Sequence, residues 1–134
     1  MKNKISTVAV VGAGAVGSYF GGLLARAGHD VTLIARQEHV KAIQENGLYM
    51  ECQSFQEHVP VKASTEYSAI KDADLILCCV KSPDTERVMR EIKGLIKPDT
   101  LILSLQNGVD NAERISQVVP NPAISAVVYV ATGM

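Results

Sequence analysis

The sequence predicts an α/β fold, a doubly wound and mainly parallel sheet with helices on both faces. Three features of the chain predict it. Apolar runs of strand length alternate with amphipathic stretches from one end to the other, the pattern of repeated β-α-β units. The runs, among them Thr7 to Val11 and Asp74 to Val80, are apolar at nearly consecutive positions, as strands covered on both faces are. The first run then breaks into Gly12-Ala13-Gly14-Ala15-Val16-Gly17 before helical spacing begins, which reads as strand, tight turn and helix.

Taken in order, Thr7 to Val11 is the first strand. The helix after the glycines turns Val16, Phe20, Leu23, Leu24 and Ala27 to one side, with Gly28 as its left-handed terminal residue. Gly21 and Gly22 each cost about 1 kcal/mol against alanine inside that helix; close approach of Gly17 and Gly21 to the sheet is the offsetting gain expected. Asp30 to Ala35 is the second strand and ends at Arg36. Gln37 to Asn46, with Val40 and Ile43 on one face and Gly47 behind it, is a short helix. Leu48 to Cys52 and Phe55 to Val61 read as two short strands joined by Gln53-Ser54, with Pro60 marking an edge.

Asp74 to Val80 is the next buried strand and leads into Lys81. Ser82 caps a helix with Pro83 at its first position, and Val88, Ile92, Leu95 and Ile96 form its apolar face before Pro98 closes the unit. Thr100 to Ser104 is a further strand, followed by Leu105-Gln106-Asn107-Gly108. A short helix around Ala112 and Ile115 and a final strand from Ala123 to Val130 complete the chain. In an open sheet of this kind ligands bind beyond the carboxyl ends of the strands. Arg36, Lys81 and Asn107 all stand at such ends.

The glycine turn is a site for an anion. Gly12 permits the tight turn, Gly14 lets the backbone come close to a pyrophosphate, and Gly17 lets helix and strand pack together. Unpaired N–H groups and the positive end of the helix dipole face whatever sits above the turn. A dinucleotide is the ligand this arrangement suits.

Composition narrows the alternatives. The 134 residues, 47% hydrophobic and 20% charged, are enough for one domain with a single core. A net charge of −1 leaves no basic surplus for nucleic acid or an anionic membrane, and no apolar run nears the length of a membrane span. Residues 1–4, Met-Lys-Asn-Lys, lead straight into the strand before the glycines, so a cytoplasmic chain without a cleaved leader is expected. Cys52, Cys78 and Cys79 make an odd count without zinc spacing; the adjacent pair lie on opposite faces of a strand as core residues. His29, His39 and His58 are scattered surface or strand residues. No metal site is expected.

Arg36 selects the nucleotide. About twenty residues after the glycine motif, an acid bonds a ribose 2′-hydroxyl in NAD-binding versions of the fold, whereas an arginine accommodates a 2′-phosphate. Here the position holds Arg36, and the nearby acid, Glu38, comes after the strand end. Guanidinium bonds a phosphate in a fork that a carboxylate would repel. NADP(H) is therefore expected rather than NAD(H).

Gly-Ala-Gly-Ala-Val-Gly-Ser-Tyr-Phe-Gly, Arg-Ala-Gly-His-Asp-Val-Thr-Leu-Ile-Ala-Arg, Ala-Asp-Leu-Ile-Leu-Cys-Cys-Val-Lys and Leu-Gln-Asn-Gly together resemble the N-terminal, Rossmann-type domain of the ketopantoate reductase family. The resemblance covers essentially the whole chain. It implies NADPH-dependent reduction of 2-dehydropantoate to pantoate, a step towards pantothenate and coenzyme A, with a small 2-oxo acid as substrate. It implies also that Gly12, Ala13, Gly14, Ala15, Val16 and Gly17 hold the pyrophosphate, that Arg36 holds the 2′-phosphate, and that Lys81 lies beside the cofactor. Asn107 would bridge nicotinamide and substrate, and Ala131 would touch the cofactor. Val127-Val128-Tyr129-Val130 departs from the threonine-rich form of some members.

Members of that family continue into a helical second domain that supplies the catalytic lysine and a substrate-binding carboxylate. The 134 residues are thus expected to form one NADP-binding domain, with the main proton donor beyond Met134 and no turnover by this chain alone. An uncovered docking face would favour a homo-oligomer. Another 2-oxo acid reductase and a free-standing NADPH-binding regulatory module are the alternatives.

Overall fold

The computed structural model describes residues 6–12, 14–51, 54–106 and 110–126. Strands β1 (Thr7–Val11), β2 (Asp30–Ile34), β5 (Lys62–Ser64), β6 (Leu75–Cys78), β7 (Leu101–Ser104) and β8 (Ala123–Ser125) form one sheet in the order β5-β2-β1-β6-β7-β8. Every neighbouring pair is parallel. Strands β3 (Leu48–Glu51) and β4 (Gln56–Val59) form a separate antiparallel hairpin, pairing Leu48 with Val59 and Glu51 with Gln56. The helices are α1 (Ala15–Arg26), α2 (Gln37–Asn46), α3 (Thr85–Ile92) and α4 (Asn111–Ser116). With the hairpin set aside, the sheet has the Rossmann order, and winding reverses between β1 and β6. The crevice for a ligand in such a sheet lies at that reversal.

Alternation along the strands divides the core in two. Ala9, Val11, Ile76, Cys78 and Ile102 face one side, where Val88, Met89 and Ile92 of α3 and Ile115 of α4 cover them. Val8, Val10, Val31, Leu33 and Leu77 face the other, under Phe20, Leu23 and Leu24 of α1 and Leu48, Met50 and Val59 of the hairpin. Cys78 and Cys79 divide between these two clusters, as neighbours in an extended chain must. A Cβ on Gly21 would stand 2.7 Å from Leu33 and 3.0 Å from Val10, and one on Gly22 would meet Met50. The glycines inside α1 therefore let it settle onto the sheet and the hairpin.

Several elements differ from the sequence reading. The second hairpin strand ends at Val59 rather than Val61, and Pro60 lies outside it. The chain then enters β5, an edge strand beside β2, and a 3-10 turn at Tyr67–Ile70. Neither was expected, because Lys62-Ala63-Ser64 is short, polar and half exposed. Ser82 does not start the third helix: Ser82–Asp84 form a 3-10 turn closed by the Asp84 N–H donating to the Lys81 carbonyl at 2.8 Å, and α3 opens at the fully buried Thr85. Leu95 and Ile96 fall beyond its end, where Gly94 lowers helix propensity, though Ile96 still packs on the core. Strand β8 stops at Ser125; residues 127–134, with Ala131, lie outside the described residues, as do Ala13, Cys52 and Asn107.

Candidate functional site

Strand β1 runs directly into Gly12, whose φ of +92° few other residues adopt. A Cβ there would meet the Val80 nitrogen at 2.7 Å and the Cys79 carbonyl carbon at 2.8 Å. The turn after β1 thus lies against the peptide that leaves β6. Gly14 follows at the N-cap of α1, with nothing within 4 Å of where a Cβ would stand. No side chain caps α1, and its first turn holds no acid. The N–H groups and positive dipole end of this helix are left uncompensated by side chains, the condition that favours an anion.

A cleft of about 770 Å³ opens at this point, beyond the ends of β1 and β6. Gly12 and Gly14 line it from one side. Arg36, which follows β2 by two residues and forms the N-cap of α2, lines it together with Glu38 and His39. Cys79, Val80 and Lys81 line it from the end of β6. Among the described residues neither Arg36 nor Lys81 makes an ion pair with another, and both are exposed. Of the candidates named from sequence, the cleft gathers Gly12, Gly14, Arg36 and Lys81. Gly17 is buried and Val16 half-buried in α1, away from its lining, and Ala15 is the first residue of that helix.

The cleft also holds residues that sequence reasoning missed. Thr65 and Tyr67 follow the unexpected edge strand β5, Asp84 is the N-cap of α3, and Arg87 and Val88 come from its first turn. Spacing of three and four along a helix places the last three on one face, a signal that was available. Arg87 is held by Glu91 at 2.9 Å and Asp84 at 3.6 Å. Burial pushes the Tyr67 hydroxyl above its ordinary pKa, with Glu91 adding to the effect. The Cys79 thiol, also at the cleft, is pushed up to about 12 by burial, so it is a neutral wall rather than a nucleophile.

Comparison with known proteins gives the family. The family model described as ketopantoate reductase PanE/ApbA matches residues 8–133. The chain belongs to the ketopantoate reductase family. A 2-dehydropantoate 2-reductase of Pyrococcus horikoshii is 42% identical over 113 residues, which are 84% of this chain and 36% of that protein. The PanE/ApbA family ketopantoate reductase of Ralstonia eutropha superposes with a TM-score of 0.91 at 53% identity, covering 93% of this chain and 42% of the other. D-mandelate dehydrogenase, solved with NADH and anilino(oxo)acetate, superposes with a TM-score of 0.75 at 35% identity over 85% of this chain and 38% of its own. The chain thus spans about a third of the length of the curated relatives it matches.

Proposed function

We propose that this chain is the NADPH-binding domain of a 2-dehydropantoate 2-reductase, acting in the cytoplasm on a small 2-oxo acid. The observation that carries the reading is the shared cleft. Gly14, with open space where a side chain would stand, and the exposed Arg36 guanidinium line one crevice at the winding reversal of the sheet. That donor set fits a dinucleotide phosphate: bare backbone and an uncapped helix end for the pyrophosphate, and a forked cation for a 2′-phosphate. Glu38 and Asp84 are the carboxylates lining the cleft.

When bound, the reduced nicotinamide supplies the hydride. Gly12 to Gly17 hold the pyrophosphate and Arg36 the 2′-phosphate. By the family resemblance Lys81 would lie beside the cofactor, Asn107 would bridge nicotinamide and substrate, and Ala131 would touch the cofactor. Reduction of a ketone leaves charge on its oxygen, which a positioned acid or cation must meet. The family resemblance assigns that proton to a lysine outside these 134 residues, so the chain alone binds cofactor without turning substrate over.

The likeness to D-mandelate dehydrogenase favours one second reading, reduction of another 2-oxo acid. Oxidation of NADPH, followed by loss of its nicotinamide absorbance, separates the two. The gene's whole product is assayed with 2-dehydropantoate, benzoylformate and pyruvate, beside the 134-residue chain. Turnover fastest with 2-dehydropantoate, and absent from the 134-residue chain, is the expected result. A faster rate with another oxo acid, or turnover by the short chain abolished in Lys81→Ala, would overturn it.

A further inference from the structure

Gln106, which follows β7 by two residues, is buried with both ends of its amide engaged. Its Oε1 accepts from the Ser104 hydroxyl at 2.8 Å. Its Nε2 donates to the Val80 carbonyl at 2.8 Å and to the Thr85 hydroxyl oxygen at 2.6 Å. Ser104 and Thr85 are themselves fully buried. Three elements therefore meet at one side chain: the end of β7, the segment leaving β6, and the first residue of α3. Burying an amide and two hydroxyls costs free energy that an apolar side chain of the same size would not incur. What the network provides is geometry.

The bond to Val80 is the informative one. Gly12 turns against the Cys79–Val80 peptide, the unit directly before the Val80–Lys81 peptide whose carbonyl Gln106 holds, and Val80 and Lys81 line the cleft. We propose that Gln106 is a positioning residue of the cofactor cleft, fixing the Val80 carbonyl so that the following Lys81 stands opposite the glycine turn. Ser104 orients the amide by donating to its oxygen, which turns the NH₂ group towards Val80 and Thr85. Gln106 itself lies beneath the cleft and acts through its neighbours. The inference rests on the nicotinamide-cofactor reading above.

A double-mutant cycle on the 134-residue chain tests it, with NADPH affinity read by calorimetry and folding by circular dichroism. Gln106→Met keeps the length of the side chain and removes its hydrogen bonds, and is expected to weaken NADPH binding by about tenfold. If it acts through Lys81, Gln106→Met combined with Lys81→Ala binds no more weakly than Lys81→Ala alone, because contacts in one network are not additive. Additive losses, or an unchanged affinity in Gln106→Met, would overturn the proposal. Should Gln106→Met fail to fold, Thr85→Val carries the same cycle, and Thr85→Ser, which restores the hydroxyl acceptor, is expected to bind as the unaltered chain does. An unaltered chain that binds no NADPH overturns the cofactor reading, and this proposal with it.

Discussion

Gly17 packs against the carbonyl oxygen of Gly12, so close that a Cβ at position 17 would collide with it, and with Val10 at 3.0 Å. Gly14, between them in sequence, faces open space. One motif therefore holds two kinds of glycine. Gly17→Ala is expected to destabilise the chain by about 1–3 kcal/mol, the usual cost of overpacking, seen as a lower melting temperature. Gly14→Val is expected to melt as the unaltered chain does and to lose NADPH binding, since its side chain fills the space a pyrophosphate would need. A Gly14→Val chain that melts low, or that binds normally, would contradict this division.

At the opposite end of the strands, Asp74 gathers the start of β1. Its carboxylate accepts from the Lys97 ammonium at 2.6 Å, from the Ser6 N–H at 3.0 Å and hydroxyl at 3.1 Å, and from the Thr7 N–H at 3.1 Å. Lys97 first, then these N–H groups, hold its pKa well below the usual carboxylate range. A depressed folded pKa contributes stability that is present above the unfolded value of about 3.9 and is lost as pH falls through the folded one. Asp74→Asn is thus expected to lower the melting temperature at neutral pH, with a deficit that shrinks below about pH 4. Glu86, which the Arg114 guanidinium bonds at 2.7 and 2.9 Å and holds at about 2, adds to the acid sensitivity in the same direction. Melts across this pH range check the sign, and a deficit that widens in acid would refute it.

The adjacent thiols give a chemical test of the strand that carries them. Burial pushes Cys78 up to about 11 and Cys79 up to about 12, which leaves little thiolate at neutral pH. Both are expected to resist iodoacetamide in the native chain and to react once it is unfolded. Mass spectrometry of the peptide holding them reads this directly. Rapid native alkylation of Cys78 would mean that β6 is not the buried strand described.

How legible the molecule was depended on whether a residue's role is local. Gln37–Asn46 reads correctly as a helix because Val40, Ile43 and Gly47 mark its face and its end within ten residues. Strand β1 and the glycine turn read correctly for the same reason. Lys62–Ser64 escaped because an exposed edge strand of three residues has no apolar pattern; its place is set by pairing with β2. Thr65 and Tyr67 were lost with it. The part Gln106 plays is equally invisible locally, since its partners Thr85 and Val80 are 21 and 26 residues away. Arg36 and Lys81 were legible as strand-end cations, but only the winding of the sheet brings them to one cleft.

Arg36 carries the choice of cofactor most directly, and calorimetry with NADPH and NADH measures it. A charge-assisted bond to a 2′-phosphate contributes about 1.5–3 kcal/mol, so the unaltered chain is expected to bind NADPH about ten to a hundred times more tightly than NADH. In Arg36→Ala the two dissociation constants are expected to converge, with NADH affinity nearly unchanged. Equal binding of both cofactors by the unaltered chain, or a preference that survives in Arg36→Ala, would contradict the account.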